Sequence, residues 1–224
     1  MRPLLLDLFS GAGGAAVGYH RAGFDVIGVD NRPQPHYPFE FHQADALEWL
    51  TYEQNEFDAI HSSPPCQRYS LMQAMNGRAD RHPDLVRDVR RLLKHIGLPY
   101  VIENVVGAPL ENPIQLCGEM FGLGVIRHRL FETNIFMWQP PHGPHRGRVA
   151  GYRHGTWTDG PYHAVYGNGG GKGTAVDWQR AMGINWIPVG VRCPREIAEA
   201  IPPAYTEYVG AQLLAHMSEV SRHG

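Results

Sequence analysis

The chain is poor in cysteine, in lysine and in long apolar runs. Its 224 residues include three cysteines, Cys66, Cys117 and Cys193, with no C-x-x-C spacing. That argues against a disulfide scaffold and a cysteine zinc site, and it fits a reducing compartment. No window approaches the roughly 18 uninterrupted apolar residues of a membrane span, and Asp7 cuts the run Leu4–Leu6. Neither a span nor a signal peptide is expected, and the protein is predicted to be soluble, intracellular and cytoplasmic. Only two of the 20 bases are lysines. Such a bias follows equally from phosphate recognition and from GC-rich coding, so it carries no function.

What is present is an ordinary globular balance, 43% apolar and 19% charged, in a length that suits one domain with an appendage. The net charge of −2 hides an asymmetry. From Asp25 to Asp58 eight acids face Arg32 alone, a local charge of −7; Cys66–His95 and Arg127–His154 each carry +4. The basic stretches suit either a polyanion or solvated helix and loop faces.

Leu4–Phe9 reads as a buried strand, followed by a Gly-rich turn and a helix over Ala15–Ala22. Strands are expected at Asp25–Asp30, Phe57–Ser62 and Tyr100–Asn104, with helices at Asp45–Leu50 and from Pro83 through Ile96. This alternation predicts an α/β, doubly wound, mostly parallel sheet with its chemistry in the turns beyond the strands' C-terminal ends. Residues 137–176 are rich in Pro, Gly, His and aromatics and lack a sustained period. They are expected to form a small irregular segment between a main domain, 1–136, and helices over 177–224 that return to it. His142, His145, His154 and His163 fall in this segment, but their spacing matches no familiar ligand pattern and no cysteine joins them. No metal is therefore expected.

Four motifs carry chemistry. Gly11-x-Gly13-Gly14-x-Ala16, with Asp30 ending the next strand, has the G-x-G-x-x-A form of a nucleoside-cofactor turn, open to NAD or S-adenosylmethionine. Ser63-Pro64-Pro65-Cys66-Gln67 presents a thiol on a rigid approach, where a nucleophile competes with a buried packing residue. Glu103-Asn104-Val105 brings a carboxylate to the same edge. Arg127-His128-Arg129 alternates so that both guanidinium groups can face one side of a strand.

In order, DLFSGAGG, PPCQRYS, ENV, RHRLF and AIPPAYTEYVG resemble the cytosine-C5 DNA methyltransferase family over nearly the whole chain outside 137–176. The resemblance implies a Rossmann-like S-adenosylmethionine-dependent fold and methyl transfer to C5 of a flipped-out cytosine in double-stranded DNA, through a covalent Cys66–C6 adduct. It implies that Cys66, Glu103, Arg127 and Arg129 are catalytic. Asp7, Phe9, Gly11, Gly13, Gly14, Asp30, Asn31, Asp45 and Pro65 would bind the cofactor. Gln67, Arg68, Ser70, Arg78, Arg81, Arg146, Arg148 and Arg153 would contact DNA, the last three from a short target-recognition segment reading about two to four base pairs. The protein is expected to act on DNA as a monomer, without metal or membrane. The family's usual Gln is Val125 here, and its usual Gly-Asn pair is Ala198-Glu199. Methylation of tRNA and a non-catalytic DNA-binding role are the alternatives.

Overall fold

Leu5, Leu6, Asp7 and Leu8 are all buried, because their strand, β1 (Leu4–Leu8), lies at the middle of a sheet covered on both faces. A computed structural model describes residues 1–52, 56–65, 84–153, 156–166, 173–190 and 195–223, apart from the side chains of Tyr52, Tyr152, Arg153, Ser221 and His223. In it α1 (Gly14–Ala22), β2 (Asp25–Asp30), β3 (Glu40–Gln43), α2 (Ala46–Tyr52), β4 (Ala59–Ser62), α3 (Val86–Ile96) and β5 (Tyr100–Asn104) follow β1. Next come β6 (Ile114–Leu116), a 3₁₀ turn (Gly118–Phe121) and β7 (Arg129–Thr133).

The sheet order is β3-β2-β1-β4-β5-β7-β6, parallel except for β7, which runs antiparallel to both β5 and β6. The expected doubly wound sheet is present. Strand alternation divides the core: Leu5, Val26 and Val101 pack with α1 on one face, whereas Leu6, Leu8, Ile60 and Ile102 pack with α2 and α3 on the other.

The segment expected to be irregular holds a second sheet, β8 (Val149–Arg153), β9 (Thr156–Thr158) and β10 (Tyr162–His163), ordered β10-β8-β9. Its strands are too short, and too interrupted by Gly and Pro, to leave a period in the sequence. α4 (Ala175–Met182) then starts on a reciprocal cap, in which Thr174 Oγ1 accepts the Asp177 N–H and the Asp177 carboxylate accepts the Thr174 N–H. α5 (Arg195–Glu199) and α6 (Pro203–His223) complete the order.

The last helix, expected to return to the main domain, reaches the sheet through α1. Thr206 Oγ1 donates to the Ala15 carbonyl at 2.8 Å, and an added Cβ at Gly18 would stand 2.0 Å from Thr206 Oγ1. Small residues let the two helices approach at backbone distance. Among the described residues no helix is long and apolar enough to cross a membrane.

Candidate active site

A cavity of about 430 Å³ opens at the C-terminal ends of β1, β2, β4 and β5, between the glycine turn and α5. Asp7, Phe9, Gly11, Gly14, Asp30, Asn31, Asp45 and Pro65 line one part of it; Ser63, Glu103, Arg127 and Arg129 line another. Eleven of the thirteen residues expected to be catalytic or cofactor-binding are thus brought together. Of the other two, Cys66 lies outside the described residues and Gly13 is turned away.

The turn begins with a strained residue. The strand expected to reach Phe9 ends at Leu8, and Phe9 adopts φ 56, a left-handed conformation that turns the chain across the sheet edge. Gly11, at φ +51, has open space where a Cβ would stand, so the backbone can be approached closely from the cavity. Gly13 answers to a different constraint: at φ +84 its absent Cβ would lie 2.6 Å from Pro38 Cδ, so it serves packing and does not line the cavity. Asp30 Oδ2 accepts the Gly11 N–H at 3.0 Å and Oδ1 accepts the Arg32 N–H at 2.9 Å, locking the turn to the end of β2. Asp45 Oδ1 accepts the amides of Leu47 and Glu48 and so caps α2.

Across the cavity, Arg129 Nε stands 2.9 Å from Glu103 Oε1. Burial raises the Glu103 pKa above the ordinary carboxylate value, against the opposing pull of Arg129, Arg127 and a hydrogen bond from Ser63. Behind Ser63 a polar chain enters the core: Ser63 Oγ is 2.8 Å from His61 Nε2, and His61 Nδ1 is 2.9 Å from Tyr19 Oη. Burial pushes the His61 pKa down to about 3. A neutral ring with its proton on Nε2 satisfies the whole chain, accepting from Tyr19 and donating to Ser63.

Arg127 was expected on a strand, but β7 begins only at Arg129. Its guanidinium is held instead by the Val165 and Ala198 carbonyls at 3.0 and 2.8 Å, while Tyr205 Oη donates to the Arg127 carbonyl at 2.5 Å. Both arginines still reach the cavity. Asn104 donates to the Pro64 carbonyl at 2.9 Å, tying the Pro-Pro turn to the end of β5. The roles of Ser63, His61, Tyr19 and Tyr205 were not legible in the sequence, because each depends on a partner set against it by the fold.

Three bases of the first basic stretch have acidic neighbours within the chain. Arg90 makes a two-pronged ion pair with buried Glu132 at 2.7 and 2.6 Å, Lys94 pairs with Glu111 at 2.7 Å, and Arg91 lies 3.6 Å from Asp88. Gln67, Arg68, Ser70, Arg78 and Arg81 lie outside the described residues. Arg146 and Arg148 are exposed, and of Arg153 only the backbone, in β8, is described. His142 and His145, expected to lack a cysteine, adjoin Cys117 and His128; His163 stands outside that group and His154 outside the described residues.

Residues 4–111 match the model of the C-5 cytosine-specific DNA methylase family. The Type II methyltransferase M.FnuDI of Fusobacterium nucleatum is 33% identical over 111 residues, 46% of this chain and 32% of that protein. M.AquIA of a Picosynechococcus strain is 31% identical over 125 residues, 48% of this chain and 50% of its own length. The chain thus spans a third to a half of these methylase relatives. Among solved structures, Schizosaccharomyces pombe Dnmt2 methyltransferase superposes with a TM-score of 0.64 at 15% identity, over 97% of this chain and 99% of that one. Entamoeba histolytica methyltransferase EhMeth does so at 0.61 and 12%, over 98% of each. The fold is that of these methyltransferases.

Proposed function

We propose that this protein transfers a methyl group from S-adenosylmethionine to C5 of a cytosine flipped out of double-stranded DNA. The observation that carries the reading is the pairing of Glu103 with Arg129, beside Arg127, on the same cavity as the Gly11–Asp30 turn, in a chain whose residues 4–111 match the C-5 cytosine methylase model.

The residues present fit the cofactor. About 430 Å³ lies within the roughly 300–1,000 Å³ typical of small-molecule sites. Gly11 leaves its backbone open, and the carboxylates of Asp30 and Asp45 line the cavity beside Arg32 and the buried Asp7 carboxyl. A carboxylate-rich wall suits the cationic sulfonium and ammonium of S-adenosylmethionine better than the pyrophosphate of a dinucleotide. Phe9 offers a ring to the adenine, Asp30 hydrogen-bond acceptors to the ribose, and Asn31, Gly14 and Pro65 complete the wall. When bound, the cofactor supplies the methyl group that C5 takes up.

Cytosine C5 is too electron-poor to accept that group unaided. The thiolate of Cys66, the residue after cavity-lining Pro65, forms a bond to C6, and the displaced electron pair moves toward N3 and O2. Glu103, whose pKa burial raises, is the acid that protonates N3, while Arg129 meets the charge at O2. Arg127 holds the surrounding loops in place. After methylation, departure of the C5 proton to a base and cleavage of the C6–sulfur bond restore the ring, and the N3 proton returns to Glu103.

The small sheet with its exposed Arg146 and Arg148 is the target-recognition segment in this reading, and Gln67, Arg68, Ser70, Arg78, Arg81 and Arg153 add phosphate and base contacts. Base-resolution sequencing of plasmid DNA from cells expressing the wild type or Cys66→Ala tests the proposal. Methylation in one short context by the wild type, and none by the variant, supports it. Unmodified DNA overturns the DNA reading, and a parallel assay on tRNA then decides whether the substrate is RNA.

A further inference from the structure

Cys117, His128, His142 and His145 come from three stretches of chain and meet beside the small sheet. Each offers one ligand atom, and these atoms all lie within 4.8 Å of one another. Cys117 is fully buried at the start of the 3₁₀ turn after β6. His128 stands between Arg127 and Arg129, and His142 and His145 flank Gly143-Pro144. The three ring centroids are 4.8–5.2 Å apart.

We propose that these four residues form a closed, tetrahedral site for Zn²⁺, with one cysteine and three histidine ligands. One thiolate and three imidazoles are the donors of a borderline-soft ion and exclude Mg²⁺ or Ca²⁺, which take oxygen. His128 Nε2 and His145 Nε2 are 3.2 Å apart, close to the roughly 3.3 Å edge of a tetrahedron with zinc–nitrogen bonds of about 2.0–2.1 Å. Glu119 prepares one ligand: its carboxylate lies 2.5 Å from His145 Nδ1, so the proton resides there and the Nε2 lone pair faces the cluster. Glu119 is itself held by Tyr162 Oη at 2.5 Å and by the Arg146 amide. His142 Nε2 is buried and has no hydrogen-bond partner among the described residues, a costly state for an imidazole nitrogen that belongs to a ligand set.

On binding, Cys117 forms its bond to the metal as a thiolate and releases its proton to solvent. With four protein ligands the ion has no open position, so the site is structural. It joins the turn after β6, the start of β7 and the 142–145 segment leading into the small sheet. The site stands independently of the methyl-transfer reading.

Titration of the metal-free full-length protein with Co²⁺ tests this. The expected result is one Co²⁺ per chain, with the strong visible d–d absorption of tetrahedral cobalt and a near-ultraviolet thiolate charge-transfer band. Zn²⁺ should displace it and raise the melting temperature. Cys117→Ser should abolish the charge-transfer band, and His142→Ala should weaken binding at least tenfold. Glu119→Gln should keep the ligand set but lower affinity by about 10–100-fold. As Cys117 is buried, the His142 and Glu119 variants keep the test decisive if the serine variant fails to fold. A wild type that binds no Co²⁺, gives the weak spectrum of octahedral cobalt, or loses its thiolate band in Cys66→Ser or Cys193→Ser overturns the proposal.

Discussion

Arg129 Nε and Glu103 Oε1 face each other at 2.9 Å between neighbouring antiparallel strands, with side chains 16% and 7% exposed. Charge on either is tolerable there only because the other is present. Arg129→Ala therefore strands a buried carboxylate: its pKa should rise further, and stability should fall by about 3–5 kcal/mol in urea unfolding. Glu103→Gln keeps the shape and removes the proton. Methyl transfer should drop by about 10²–10⁴-fold while the fold survives, and a variant within a few fold of wild type would remove Glu103 from the chemistry.

Two buried groups of opposite sign shape the response to pH. Burial pushes the Asp7 carboxyl up to about 8 from 3.8, so its contribution to stability is full below about pH 4 and is lost as pH rises to about 8. His61 is pushed down from 6.5 to about 3, so its contribution is full above about pH 6.5 and is lost as pH falls toward 3. Between about pH 4 and 6.5 the two slopes oppose each other. Asp7→Asn should gain stability relative to wild type across pH 4–8, at up to about 1.4 kcal/mol per pH unit. Melting curves over this range read the difference directly, and parallel profiles would show that Asp7 does not titrate there.

Two glycines should separate binding from folding. Gly11→Ala places a Cβ in open space, at a strained φ, where the cofactor would approach. Calorimetry with S-adenosylmethionine should show a loss of affinity larger than the loss of stability. Gly18→Ala places its Cβ 2.0 Å from Thr206 Oγ1 and 2.2 Å from the Pro203 carbonyl, forcing α1 and α6 apart. Its cost should be chiefly in stability, about 1–3 kcal/mol or more.

Arg146 and Arg148 are exposed at the small sheet. If each neutralises a phosphate, replacing either with Ala should reduce the slope of log binding constant against log salt by about 1. Arg91→Ala, already close to Asp88, should leave the slope unchanged. Equal slopes for all three variants would remove the small sheet from the DNA interface.

The βαβ half of the fold was legible because its signals are local. Leu4–Leu8, Asp25–Asp30 and Tyr100–Asn104 are apolar runs bounded by turn residues, and the glycine turn follows the first of them directly. β6 and β8 to β10 were not, since strands of two to five residues set among Pro and Gly carry too few positions for a period to register. The partner of Arg90 was not legible for a different reason: a base in a periodic helix looks solvated until Glu132, 42 residues away, is placed against it.

The chemistry on offer is readable from residue order alone: a glycine turn with Asp30 beyond it, a thiol after two prolines, a carboxylate ending a strand and paired arginines. Each is fixed by residue type and short spacing. Which of these groups meet was settled by how the chain folds. Folding placed Arg129 on Glu103, stretched a polar chain from Tyr19 to Ser63, spent Arg90 and Lys94 on internal pairs, and gathered Cys117 with His128, His142 and His145. Ion pairing, metal ligation and the shift of a buried pKa all depend on separations of a few ångströms, and between residues tens of positions apart that separation is set by how the strands and helices pack.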